Sequence, residues 1–453
     1  MTPILASGFV PEMIEFMAIA VVLFPIVIWI SKLLPNARDR EWLPHLVIWG
    51  FFAKMMGSFL RYFMAADIYG TSDSFRYHAK GIAYASIWRH LSVPVSNSGG
   101  EGTGFTEVVT GLIYAVYTPA MRGGFLMFAF IAFVGQLLYY AAFRPWLPDS
   151  ALKRFAFVML FFPSIVFWPA SVGKDALMMF FTGLATLGIS RLLRRIELTG
   201  LVLAGLGLYL TAEIRPHIAL MLAMAAVLAF VLMRRNEVAV SGFKRVIPIA
   251  AAVIGLVFAW SAFATDFEVS LEGTVDTQDP AAFLTRVEDQ TSQGGSQVTG
   301  GVVRGPQDLP AATLKVLFRP LIYEGTSPAI LLSSLEGTAL LLVVVWKLPM
   351  VWRNRRMIRP NPLLLLSFIY TGGFIIAFSS ILNLGILARQ RVQVLPFFLA
   401  LLVTLGWPPE DADAPKRHGR AKRQVVPAAV TPEGMSALPT ATGEGEWQPE
   451  RWR

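Results

Sequence analysis

Cysteine is absent from the chain. That removes disulfides, thiolate metal sites and cysteine nucleophiles together. Charge is scarce as well: 15% of the 453 residues are charged, against about 25% in an ordinary soluble protein. Strand-type alternation of apolar and polar residues is missing, which argues against a β-barrel. His45, His78, His90, His217 and His418 have no metal-ligand spacing. Catalytic signatures are missing too. Val172-Gly-Lys174-Asp175 lacks the upstream glycine and the following Ser or Thr of a phosphate loop. Neither a His-Glu-x-x-His metal motif nor a Gly-x-Ser-x-Gly nucleophile elbow occurs.

What the chain has is apolar length. Hydrophobic residues make up 55% of it, in recurring runs of roughly the 17–22 residues that cross a hydrocarbon core. The pattern predicts an all-α, polytopic membrane bundle with helices over 13–34, 44–66, 122–142, 154–169, 173–193, 199–214, 217–233, 246–263, 327–346, 362–382 and 393–407. Eleven crossings put the termini on opposite sides. The first run is not expected to be a cleavable signal peptide: no Lys or Arg precedes it, and Glu12 and Glu15 stand where a basic region belongs.

The net charge of +9 is read as an orientation signal, not a nucleic-acid one. Basic clusters occupy alternate connections: Lys32, Arg38 and Arg40; Arg144, Lys153 and Arg154; Arg191, Arg194 and Arg195; Arg234, Arg235, Lys244 and Arg245; Lys347, Arg353, Arg355, Arg356 and Arg359. Lys416, Arg417, Arg420, Lys422 and Arg423 add a sixth, in the tail. All fall on the cytoplasmic side of an inner membrane if the N-terminus is outside. Residues 1–408 then form the membrane domain, with long outer loops at 67–121 and 264–326. The Pro-, Ala- and charge-rich stretch 409–453 is predicted to be a disordered cytoplasmic tail, in which Asp411 and Asp413 are plain charge. Phe105 to Tyr117 and Leu314 to Tyr323 are candidates for interfacial or re-entrant helices within the outer loops.

The unusual polar residues gather at the outer ends of helices. Lys174, Arg215, Arg319, Arg389 and Arg391 break the positive-inside pattern. An anionic ligand gives such cations a reason, since Arg forks match phosphate oxygens and Lys174 starts a helix whose dipole is positive there. The bland alternative is snorkelling to headgroups or pairing with loop carboxylates. Asp73 and His78 are the acid–base candidates, with a helix N-cap and a surface histidine as their structural alternatives. Asp73 and Tyr77 share a face if their segment is helical. Glu336 lies deep in an apolar helix, where a carboxylate is costly unless paired or facing a wet cavity. Asp175, His217 and Glu324 complete the candidates at these helix ends.

Gly70-Thr-Ser-Asp73-Ser-Phe-Arg-Tyr77, the Phe162-Pro163-Ser164 break, the Lys174-Asp175 helix start and Arg389-Gln-Arg391-x4-Pro396 together resemble bacterial polytopic membrane glycosyltransferases. The likeness is to polysaccharide polymerases of the O-antigen and exopolysaccharide type, and more distantly to the GT-C class. Members of that class usually place the acidic motif after the first helix; here Asp73 follows the second.

The resemblance implies inverting glycosyl transfer outside the cytoplasmic membrane. The donor would be a saccharide on undecaprenyl phosphate or pyrophosphate. Asp73 or His78 would serve as base, with Glu336 a further catalytic candidate. Lys174, Arg215, Arg319, Arg389 and Arg391 would hold phosphate. Partners would be the bilayer and other envelope polysaccharide-assembly proteins, with no nucleic acid. No cofactor is assigned, and a divalent metal stays open. The competing expectations are a transporter or flippase of lipid-linked saccharides, and a non-enzymatic scaffold for envelope assembly. A flippase needs polar residues through the membrane depth, whereas the charge here is piled at one rim.

Overall fold

The computed structural model describes residues 4–34, 40–70, 72–96, 102–233, 303–325 and 328–408. Among them the regular elements are all helical, with no β-strand. Five helical stretches are long and apolar enough to cross a bilayer: Val10–Leu33, Trp42–Ile68, Met121–Phe143, Lys174–Arg194 and Ile330–Met357. The pair Leu384–Gln393 and Leu395–Leu405, bent by 66°, makes a sixth if taken as one span. This is a helical membrane protein. Others of the eleven expected crossings are shorter helices, and 246–263 lies outside the described residues.

In chain order the helices are α1 (Ile4–Leu33), α2 (Trp42–Phe63), α3 (Asp73–Arg89), α4 (Thr103–Val116), α5 (Met121–Phe143) and α6 (Asp149–Phe161). Then come α7 (Pro163–Phe167), α8 (Lys174–Arg194), α9 (Leu198–Ala212), α10 (Pro216–Leu232) and α11 (Leu309–Phe318). The last four are α12 (Pro328–Asn354), α13 (Pro362–Phe378), α14 (Leu384–Gln390) and α15 (Leu395–Leu405).

α5 and α8 form the centre. Some 67% and 72% of their apolar windows are buried, against 17% for α1, whose exposed Val21, Val22 and Trp29 suit a lipid-facing position. The central pair packs backbone to backbone. A Cβ on Gly135 would lie 2.5 Å from Met179 O, and one on Gly183 would lie 2.7 Å from Gly135 O. Small residues at a crossing let dispersion contacts accumulate where apolar lipid removes much of the hydrophobic drive.

The span expected over 154–169 is broken. α6 ends at Phe161 and Phe162 is extended, because the ring of Pro163 disfavours α geometry in the residue before it. Pro163 then opens α7, where its missing N–H costs nothing.

The long stretch after α2 is helical too. α3 and α4 form a hairpin: Trp88 Nε1 donates to Val108 O at 3.0 Å, and Arg89 donates to the carbonyls of Ala115 and Tyr114, both at 3.0 Å. Glu107, fully buried in the hairpin, pairs with Arg76 at 2.9 Å and accepts from Ser96 at 2.9 Å. The helix expected over Phe105 to Tyr117 is α4. The one expected over Leu314 to Tyr323 is α11 followed by a single 3-10 turn, Ile322–Glu324.

Candidate functional site

The site starts from the α6–α7 break, which turns the chain so that α8 can begin afresh. Gly173 precedes α8 with φ +144°, in the region that favours glycine, and a Cβ there would stand 3.0 Å from the Tyr77 ring. Glycine therefore lets α3 rest against the start of α8. The next residues, Lys174 and Asp175, form the first turn of that helix.

Asp175 gathers the surroundings. Its side chain is 6% exposed. It accepts from Arg215 Nη2 at 2.9 Å, from the turn between α9 and α10, and from Arg389 Nε on α14. The other side of Arg389 reaches outward, with Nη1 3.7 Å from Asp73 Oδ2 on α3. Lys174 lies within Coulombic reach of Arg215, Arg389, Asp73 and Asp175, as Tyr77 does of Asp73, Arg389 and Asp175. Asp73, Tyr77, Lys174, Asp175, Arg215 and Arg389 thus come together from four separate parts of the chain.

Asp73 is free of the capping duty considered for it. Ser72 is the N-cap of α3 and accepts from Ser74 N at 3.3 Å, while Asp73 follows it with 70% of its side chain exposed. Asp73 and Tyr77 are one turn apart on the same helix, as their spacing suggested. Beneath the charged group is a cavity of about 10 Å³ lined by Asp175, Met179, Thr182, Arg389, Val392 and Gln393. That is room for about one water. Arg215 Nη1 and Gln393 Oε1 are buried nearby in the chain's fold without hydrogen-bond partners. Among the described residues no group of three His, Asp or Glu side chains could hold a metal ion.

A second cluster explains Glu336. Arg391, fully buried, donates to Glu336 at 3.0 Å and to the carbonyls of Leu317 and Arg319 at 3.1 and 3.3 Å. Glu336 also accepts from Ser164 Oγ at 2.7 Å and from the Ser164 backbone N–H at the start of α7. The deep carboxylate is thus paired on both oxygens, the condition under which it is tolerated in an apolar helix. The Arg319 guanidinium is engaged by Glu324, which also accepts from Leu321 N at 2.7 Å.

His78 goes elsewhere, while His217 stands two residues from Arg215 and within its Coulombic reach. His78 Nδ1 lies 2.9 Å from the Tyr114 hydroxyl in the α3–α4 hairpin. Burial pushes its pKa below the ordinary value of 6.5, opposed by the Glu15 carboxylate. His217 packs its ring against Phe378, 5.8 Å between centroids.

Sequence reasoning passed over Arg61. It sits on the last turn of α2, with its guanidinium 5.3 Å from the Phe167 ring and 5.0 Å from the Trp168 ring. Arg389, Asp175 and Asp73 are all within its Coulombic reach. The signal was available: a cation on the last turn of an apolar helix, at the end away from the basic clusters.

No family model, curated protein or solved structure matches the chain.

Proposed function

We propose that the chain is a membrane glycosyltransferase of the polysaccharide-polymerase kind. It takes a saccharide from a polyprenyl phosphate or pyrophosphate carrier on the outer face of the cytoplasmic membrane. It crosses the membrane eleven times, with its N-terminus outside and its C-terminus in the cytoplasm. One observation carries the reading: the cations that break the positive-inside pattern do not scatter toward headgroups. Lys174, Arg215 and Arg389 converge on Asp175, beside an exposed Asp73. Three cations against two carboxylates leave a surplus of positive charge in a partly buried place, which suits an anionic group.

In the proposed step the acceptor hydroxyl attacks the anomeric carbon of the donor. The bond from that carbon to the phosphate oxygen breaks, and the phosphate leaves with the electron pair. Asp73 takes the hydroxyl proton, which requires hydrogen-bond reach to the attacking oxygen. Lys174, Arg215 and Arg389 stabilise the charge that develops on the leaving phosphate. Asp175 holds the two guanidiniums in register. The phosphate set narrows to these three because Arg391 and Arg319 belong to the separate Glu336 and Glu324 pairs, whereas Arg215 keeps Nη1 unpartnered and Arg389 turns Nη1 toward the exposed Asp73. Asp73 is favoured over Glu336 and His78 because its carboxylate is exposed and has only the 3.7 Å approach of Arg389.

The test is a membrane preparation supplied with a polyprenyl-pyrophosphate-linked oligosaccharide. Longer glycan and free polyprenyl pyrophosphate are expected. Asp73→Asn keeps the side chain's size and removes its basicity, so product formation should fall by a hundredfold or more, in the range of general-base catalysis, at unchanged protein abundance. Normal elongation by Asp73→Asn would remove Asp73 as the base. Movement of the saccharide across sealed vesicles with no elongation would favour a flippase.

A further inference from the structure

The α2 face that carries Arg61 is built for it. Lys54, Gly57 and Arg61 follow at i, i+3 and i+7, so they lie along one side of the helix. Lys54 Nζ donates to Ile165 O at 2.8 Å, inside the short α7. A Cβ on Gly57 would stand 2.8 Å from Val166 O, so glycine there allows α2 to run close against α7. One turn further on, that closeness lays the Arg61 guanidinium over Phe167 and Trp168, which are 3% and 7% exposed. A π-helical turn, Met64–Ile68, follows directly. Such turns are frequent at functional sites.

The two ring planes are 78° apart, so the rings meet the guanidinium as cation–π partners. Such contacts satisfy none of its five N–H donors. Among the described residues Arg61 makes no ion pair or hydrogen bond through its side chain, and its Nε is buried without a partner. Arg389 repels it. A buried-edge cation held by ring faces, beside other cations, is an arrangement waiting for an anion.

Resting on the reading above, we propose that Arg61 is a further phosphate-binding residue of the site, with Phe167 and Trp168 as the platform that orients it. The guanidinium presents its in-plane fork to a phosphate oxygen pair of the donor, opposite Arg389. The surplus of positive charge then rises to four cations against two carboxylates, which repel one another until the anion arrives.

The experiment uses the purified full-length protein in detergent, with geranyl diphosphate as a soluble probe and geraniol as its uncharged control. Wild type should bind geranyl diphosphate and not geraniol. Arg61→Gln should weaken that binding ten- to a hundredfold, and Arg61→Lys should recover only part, because an ammonium keeps the charge but not the fork. Phenylglyoxal followed by peptide mass spectrometry gives a second reading on the unmutated chain: Arg61 should be modified in the free protein and protected by geranyl diphosphate. If wild type binds the probe while Arg61→Gln binds equally well, or while Arg61 stays unprotected, the role of Arg61 is overturned and the site reading stands. If wild type does not distinguish geranyl diphosphate from geraniol, the phosphate site itself falls.

Discussion

Asp175 is the residue on which the charged group depends. Two guanidiniums reach its carboxylate in a nearly dry place. Removing one partner of such a pair leaves the others buried and uncompensated, at a cost of about 3–5 kcal/mol. Asp175→Ala should therefore lower the thermal unfolding temperature in detergent well beyond the change seen for Asp73→Asn, whose side chain is exposed. Equal unfolding temperatures for the two variants would contradict the pairing. His78 adds a pH dependence. Its folded pKa is depressed, chiefly by burial. The unfolded chain then binds its proton first as pH falls, so this contribution to stability is complete above about pH 6.5 and is lost below it. His78→Gln should flatten the fall in unfolding temperature between pH 7 and 5, and an unchanged slope would show that His78 is not its source. At this scale the sequence was legible where a residue broke a pattern: Lys174, Arg215 and Arg389 stood out as cations away from the basic clusters. Arg319 and Arg391 stood out equally, because that pattern sees charge and not the carboxylate that will answer it. Glu336 and Glu324 lie far from or near those partners in sequence with no pattern to announce the pairing.

Among elements, the break between α6 and α7 matters most. Pro163 and Ser164 were readable as an interruption, but what holds the broken end was not. Glu336 on α12 takes the Ser164 N–H and hydroxyl, and Arg391 pins Glu336 in turn. The clamp ties α7 to α12 and to the segment after α14, and so fixes the ring platform of Phe167 and Trp168. Glu336→Gln should destabilise the protein by about 3–5 kcal/mol, since it strands Arg391. The double variant Glu336→Gln with Arg391→Met should recover part of that loss, because no unpaired charge remains. Additive effects in a two-variant thermal unfolding cycle would mean that the pair is not coupled. Apolar run length marked the five long apolar helical stretches, but not the more polar α3. Helix ends and breaks were less legible: α12 runs on to Asn354, and the helix expected over 393–407 is preceded by the separate α14. Local pattern decides that a helix forms, while its stopping point answers to tertiary partners.

At the scale of the whole molecule, the charge asymmetry predicts an orientation that can be tested directly. A chain without cysteine accepts single reporter cysteines with no background. For the proposed orientation, cysteines at Ser96 and Gly294 should react with an impermeant maleimide on intact cells, and one at Arg420 should react only after permeabilisation. The opposite result would invert the topology and put the charged group in the cytoplasm. What composition did not reveal was the convergence itself, since Asp73, Lys174, Arg215 and Arg389 are spread across most of the chain. That spread sets a timetable for synthesis. Ribosomes deliver Asp175 and Arg215 to the membrane long before Arg389 emerges, so a nascent chain carries a half-answered carboxylate until its closing segments insert. A product cut short before α14 keeps α1 to α13 yet lacks the guanidinium that completes the group, along with the Arg391 that quiets Glu336. Membrane quality control would then have an electrostatic mark by which to tell an unfinished chain from a finished one.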